Sequence, residues 1–344
     1  MATSSPTRFS PKSEDDILTC IAKYFPDVQT GVLLGRGDDC AVLQFEHPLT
    51  VSSDLFLENT HFRKQYFLPE DIGYKSLAVN LSDIAACGAK PVAFTLSLGL
   101  PKNIDMEWLD AFFHGMSELA LKYNTCLVGG DLSASENIAI SITIFGEVLG
   151  AGRILLRGGS MPGDNIFIVG QIGLAHVGLD VLEHFGRQAM KEWPNACKAH
   201  LRPNLHCNDA LVLSRAAFNA RPPVLMDVSD GILRDLPRLL GMDGELASSD
   251  RHAQLGLGAC LSLKEEDLHE EVRKWSHGHH KNPIITALLG GEDYALLGAC
   301  APDLIPTFQA AIPDFSVLGI ITDDGKITCN DEELISVIGF DHFS

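Results

Sequence analysis

The chain has 344 residues, 46% hydrophobic and 21% charged, enough apolar mass for a large core and, by length, for two domains rather than one. A formal net charge of -19 excludes a surface built to hold nucleic acid or anionic lipid, since such contacts need clustered Lys and Arg. Nine scattered cysteines, odd in number and without a Cys-x-x-Cys pair, argue against a disulfide frame or a zinc site.

Residues 1–13 are rich in Ser, Thr and Pro and are expected to form a disordered tail. With no apolar signal-peptide centre and no run of eighteen apolar residues, the expected location is cytoplasmic. From Ser13 the spacing of Ile17, Leu18, Ile21, Ala22, Tyr24 and Phe25 predicts a helix ending before Pro26. Gly31–Leu43 is too rich in glycine for a helix; Asp38 and Asp39 lead into a predicted strand over 40–43. A second strand, 49–55, carries Ser52, Ser53 and Asp54, and a loop follows that contains His61.

The stretch from Asp71 to Gly88 reads as a helix, opened by Pro69 and acidic residues and closed by Gly88 and Pro91. Ser76, Asn80 and Asp83 share one face of it, while Ile72, Leu81 and Ala85 cover the rest, so a mostly buried helix carries a carboxylate that needs a partner. A strand over 93–99, a helix over 107–123, and a half-buried strand over 138–148 come next, with Gly130 and Asp131 between the last two.

A turn-rich, basic stretch after Gly150 places the boundary between an N-terminal domain, 14–150, and a C-terminal domain, 151–344. The second half alternates predicted helices over 174–185, 205–217 and 231–240 with a strand over 224–228, and ends in short strands over 316–340. His277, His279 and His280 lie in a segment whose Glu270, Glu271, Arg273 and Lys274 mark a solvated surface, not a metal site.

Acids beside glycine or serine recur at Asp38, Asp39, Asp54, Asp131, Asp227, Asp230, Glu292 and Asp293. Each is expected where an apolar strand stops and a loop begins, and these ends are expected to converge on Asp83. Two carboxylates about 4 Å apart repel by about 4 kcal/mol at an effective dielectric near 20, so such a set requires cations. Oxygen-only ligands select magnesium, with manganese as the alternative, and magnesium held by carboxylates suits phosphoryl transfer. Neither a GxxxxGK[ST] loop nor a protein-kinase signature is present, so an ATP site must be of another kind.

In order, GDDCAVL, SSDLFLENTHF, GYKSLAVNLSDIAACGAKP, VGGD, LLRGG, DVSDGIL, GGEDYALL and GFDHF resemble the thiamine-monophosphate kinase family over about residues 14–343. The resemblance implies an α/β (α+β) fold of two domains with aminoimidazole ribonucleotide synthetase-like architecture, a homodimer, and ATP-dependent phosphorylation of thiamine phosphate to thiamine diphosphate. Carried over residue by residue, it implies that magnesium, as several ions, is held by Asp39, Ser52, Ser53, Asp54, Asp83, Asp131, Asp227 and Asp230, and it leaves potassium open as an accessory ion. Asp54, Asp83, Asp131 and Asp230 are the implied catalytic acids. ATP is implied to meet Gly130, Asp131, Arg157 and Ser229, and thiamine phosphate His61, Glu292 and Phe340, where many relatives have Tyr or Trp. Three other readings remain: a different ATP-using enzyme of this architecture, such as selenophosphate or aminoimidazole ribonucleotide synthetase, a metal-dependent phosphatase using the same acids, and a catalytically inactive nucleotide-binding or regulatory protein.

Overall fold

A computed structural model describes residues 10–11, 13–25, 31–36, 40–150, 152–216, 221–241 and 256–334. The chain divides into two compact units, Met1–Leu81 with Pro91–Glu147, and Ser82–Lys90 with Val148–Ser344. Among the described residues no helix is long and apolar enough to cross a membrane.

The first unit contains α1 (Glu14–Tyr24), β1 (Val32–Leu34), β2 (Val42–Leu43), β3 (Leu49–Leu57), most of α2 (Pro69–Ala86), β4 (Lys90–Leu100), α3 (Met106–Lys122), β5 (Cys126–Ala134) and β6 (Ala139–Glu147). A four-stranded sheet runs β3-β6-β4-β5, with β3 antiparallel to β6 and β4 parallel to β5. The α3 crossover makes that parallel pair possible. On β6 the alternation read from sequence buries Ile140, Ile142 and Ile144.

The second unit holds β7 (Asn165–Val169), α4 (Leu174–Phe185), α5 (Pro194–Leu201), α6 (Cys207–Ala216), β8 (Val224–Asp227), α7 (Ile232–Leu240), β9 (Gly258–Leu261), α8 (Glu270–Gly278), α9 (Pro283–Leu289), β10 (Leu296–Cys300), α10 (Ile305–Ala311), β11 (Phe315–Thr322), β12 (Ile327–Cys329) and β13 (Glu332–Glu333). Its sheet runs β13-β12-β9-β11-β7-β10-β8, antiparallel except for β12 beside β9. Phe167 and Phe315 stack at 4.8 Å between ring centres in its core.

Helix α2 begins as its sequence predicts. Pro69 occupies the first turn, and the Asp71 carboxylate accepts a hydrogen bond from the Leu68 N–H at 3.3 Å. Ile72, Leu77, Ala78 and Leu81 are fully buried, and so is Lys75, whose ammonium lies 5.6 Å from the centre of the Phe67 ring. Close crossing of α2 and α3 depends on two glycines: a Cβ on Gly73 would lie 1.9 Å from the Phe112 carbonyl oxygen, and one on Gly115 would lie 1.9 Å from that of Glu70.

Several expectations are corrected. Asp54 and Asp131 lie inside β3 and β5, not at strand ends, because ladder partners at Ile142 and Ser97 carry the strands past residues that alone favour loops. Glu292 and Asp293 follow a helix, α9, not a strand. The strand expected over 40–43 shrinks to β2, paired with an unanticipated β1. Glu271 is buried: its carboxylate accepts from the N–H groups of Asn195 and Ala196 at the start of α5.

Candidate active site

The end of β8 gathers most of the second unit's expected site residues. Asp227 is the strand's last residue, opposite Leu296 of β10, and is only 4% exposed. From the last turns of α2, the Ser82 hydroxyl donates to an Asp227 carboxylate oxygen at 2.8 Å. Burial, reinforced by the neighbouring Asp83 carboxylate, pushes Asp227 up to about 7, against the pull of the Ser82 hydrogen bond and the Arg157 charge. The same surroundings raise the Cys87 thiol, burial first and Asp83 second. Arg157 is held by backbone bonds on either side, Leu225 N to Leu156 O at 3.1 Å and Gly158 N to Leu239 O at 2.9 Å. Ser82, Asp83, Arg157 and Asp227 therefore form one electrostatic neighbourhood.

Asp230 lies three residues on, where Arg238 donates to its carboxylate at 2.6 Å and Arg234 approaches at 3.6 Å. Its backbone N–H donates to the Asp235 carboxylate at 3.0 Å. Asp235 is fully buried, and burial pushes it up to about 6. The adjoining turn meets the loop that carries Glu292. Glu292 N donates to Ser229 O at 2.8 Å and Tyr294 N to Val228 O at 3.0 Å. A Cβ on Gly291 would lie 2.6 Å from that Ser229 oxygen, so the loops touch only because the residue is glycine. Glu292 itself has φ 63, an uncommon conformation for a side-chain-bearing residue, and its carboxylate lies 3.1 Å from Nδ1 of His200. Asp293 is a helix cap: its carboxylate accepts from the N–H groups of Gly173 and Ala175 at 2.5 and 2.9 Å.

Most of the remaining expected residues belong to the first unit. Strand alternation puts Ser52 and Asp54 on one face of β3 and Ser53 on the other, where the Ser53 hydroxyl donates to Ile142 O at 3.1 Å. A bulge in the β4–β5 ladder, where Phe94 pairs with Leu127 and Thr95 with Gly129, shifts the facing of everything beyond Val128. Gly130 follows with φ 151, and a Cβ there would lie 1.8 Å from Leu96 O, a position only glycine fills. Asp131 is exposed and accepts from the Ser133 hydroxyl at 3.1 Å. Two strands, β6 and β4, separate Asp54 on β3 from Asp131 on β5. His61 closes its own loop, with Nδ1 accepting from Leu57 N at 3.0 Å and the ring stacked on Phe56 at 5.8 Å. Asp39 and Phe340, with Asp38, lie outside the described residues.

Ser82, Asp235, Arg238 and His200 were not singled out from the sequence. A serine beside Asp83 in an otherwise apolar stretch, and an acid and a base spaced along the first turns after Asp230, were the available signals. Among the described residues no group of three or more His, Cys, Asp or Glu side chains is arranged to hold a metal ion. The donor set nevertheless fits a hard cation. Asp227 is a buried carboxylate destabilised as an anion, and Asp83 adds a second charge beside it, an all-oxygen pair that a divalent cation would neutralise.

Residues 37–148 match the family model described as AIR synthase related protein, N-terminal domain. The chain is 34% identical over 340 residues to the thiamine-monophosphate kinase of Escherichia coli strain K12, covering 94% of this chain and 97% of that one. Among solved structures it resembles the thiamine-monophosphate kinase of Stenotrophomonas maltophilia K279a, with TM-score 0.73 and 27% identity over 93% of this chain and 96% of that one. AaThiL, solved in complex with AMPPCP and TMP, shares the fold, with TM-score 0.72 and 24% identity over 97% of this chain and 100% of that one. On sequence identity sustained over nearly the whole of both chains, this protein belongs to the thiamine-monophosphate kinase family.

Proposed function

We propose that this chain transfers the terminal phosphoryl group of ATP to thiamine phosphate, giving thiamine diphosphate. The observation that carries this reading is the neighbourhood of Ser82, Asp83, Arg157 and Asp227 at the end of β8, adjoined by the Glu292 loop. Paired acids that would hold a divalent cation, beside one guanidinium, suit two polyanionic substrates that must approach each other.

Asp39, Ser52, Ser53, Asp54, Asp83, Asp131, Asp227 and Asp230 are the residues that would hold magnesium, whose charge, once bound, offsets that of the phosphates. The Ser53 contribution is assigned to its backbone carbonyl, because its hydroxyl faces away from Asp54. Gly130, Asp131, Arg157 and Ser229 are assigned to ATP. The Arg157 guanidinium suits phosphate oxygens. His61, Glu292 and Phe340 are assigned to thiamine phosphate, with the Glu292 carboxylate suited to the cationic, amino-bearing ring system and the Phe340 face to stacking. With Nδ1 of His61 occupied as an acceptor, its neutral ring offers Nε2–H as a donor. A general base is not required, since the acceptor is already an ionised phosphate; positioning supplies the catalysis.

The reading includes a homodimer in the cytoplasm, with potassium as a candidate accessory ion. In support of the dimer, β3 is an edge strand whose outward row of Leu49, Val51 and Leu55 is 41%, 59% and 59% exposed, a face that favours burial against another chain. Purified protein with magnesium and ATP is expected to convert thiamine phosphate to the diphosphate and to leave free thiamine unchanged. Asp54→Asn and Asp83→Asn should each lower turnover by on the order of a hundredfold or more while leaving the circular dichroism spectrum intact. Full activity in both variants overturns the assignment of the acids.

A further inference from the structure

Glu292 is placed by its backbone, but a carboxylate on a flexible side chain needs a second restraint to face a ligand in one orientation. His200 is positioned to give one. It lies near the end of α5, its side chain only 2% exposed, with Nδ1 3.1 Å from Glu292 Oε2, whereas the Glu292 side chain keeps 29% of its surface exposed. One partner is fixed in the interior and the other reaches outward. An ionised carboxylate only accepts hydrogen bonds, so Nδ1 carries the proton in this contact.

The packing that fixes His200 is specific. Helix α4 meets α5 at Gly178, where an added Cβ would lie 2.0 Å from Ala196 O and 3.0 Å from the His200 Cβ. Asp293 caps the start of α4 in the same turn that carries Glu292. Helices α4 and α5 and the Glu292 loop are thus tied at two adjacent points, one through Asp293 and one through His200.

We propose that His200 is a positioning residue for Glu292, fixing the carboxylate that faces the cationic heterocycle of the acceptor substrate. It therefore sets affinity for thiamine phosphate and not for ATP. The proposal rests on the assignment of Glu292 to that substrate, and its test separates the two claims.

Steady-state kinetics of His200→Asn, His200→Gln and Glu292→Gln are compared with the unaltered protein, varying each substrate in turn. Asn carries its amide nitrogen at the distance of Nδ1 from the backbone, Gln at that of Nε2, and both keep the site polar, so the pair decides the question even where an apolar replacement would fail to fold. The expected result is a KM for thiamine phosphate raised on the order of tenfold in His200→Gln and less than about threefold in His200→Asn, with the KM for ATP within about twofold in both. Equal effects of Asn and Gln, or an equal rise in both KM values, overturn the positioning role. If Glu292→Gln raises the KM for thiamine phosphate and neither His200 variant does, the His200 proposal alone falls. If Glu292→Gln leaves it unchanged, the assignment of Glu292 falls and the proposal with it.

Discussion

Gly115→Ala tests whether the α2–α3 crossing is as close as the structure requires. In the interior of α3, alanine is intrinsically better than glycine by about 1 kcal/mol, so propensity alone predicts stabilisation. Against that, the new methyl would lie 1.9 Å from the Glu70 carbonyl oxygen and 2.6 Å from its carbon, so the helices must separate by more than about 1 Å. The obstacle is backbone, and no rotamer change relieves it. Overpacking of this kind costs about 3 kcal/mol, which leaves a net loss of about 2 kcal/mol after the propensity gain. Urea titration read by hydrogen exchange of the α2 and α3 amides follows the first unit directly. If Gly115→Ala instead stabilises the first unit by the roughly 1 kcal/mol that propensity alone predicts, the crossing is looser than described.

Further outcomes follow from the second unit. Ser82→Ala removes a 2.8 Å donor from a buried carboxylate and is expected to cost about 1.5–3 kcal/mol by chemical denaturation, more than the usual loss of a surface hydroxyl; a change under about 0.5 kcal/mol would show that Asp227 does not depend on it. His176 is held below the ordinary histidine value, by burial first and the Lys281 charge second, with Asp180 acting in the opposite direction. Its folded-state pKa is depressed, so its contribution is intact above the unfolded value near 6.5 and is lost as the pH falls below it. His176→Phe should therefore flatten the decline in stability as the pH falls below about 6.5, and an unchanged slope would show that His176 does not contribute to it.

The segments of the candidate site are marked in the sequence because each is local. Glycine and acid spacing marked the Asp227–Asp230 turn, and the Arg157 and Glu292 segments were recognised as separate motifs. Their adjacency could not be read: Glu292 meets Ser229 across 63 positions of sequence through a contact that depends on the absence of a Cβ at Gly291. Strand ends were misplaced at Asp54 and Asp131 because residues that break strands in isolation are carried by their ladder partners. Ser82 and His200 escaped notice for a related reason, since a lone serine or histidine has no meaning until a carboxylate stands opposite.

By itself the sequence determined the helical period of α2 and its proline start, the alternation of β6, the excess of acid, and the family. These are properties of neighbours along the chain, where 3.6-residue and two-residue periods or a short motif suffice. Only the tertiary structure decided that Ser82 hydrogen-bonds Asp227, that a bulge at Val128 resets the facing of Asp131, that two arginines hold Asp230, and that His200 meets Glu292. Each depends on a distance across the fold, set by how closely backbones can approach and by which buried charge has to find a partner.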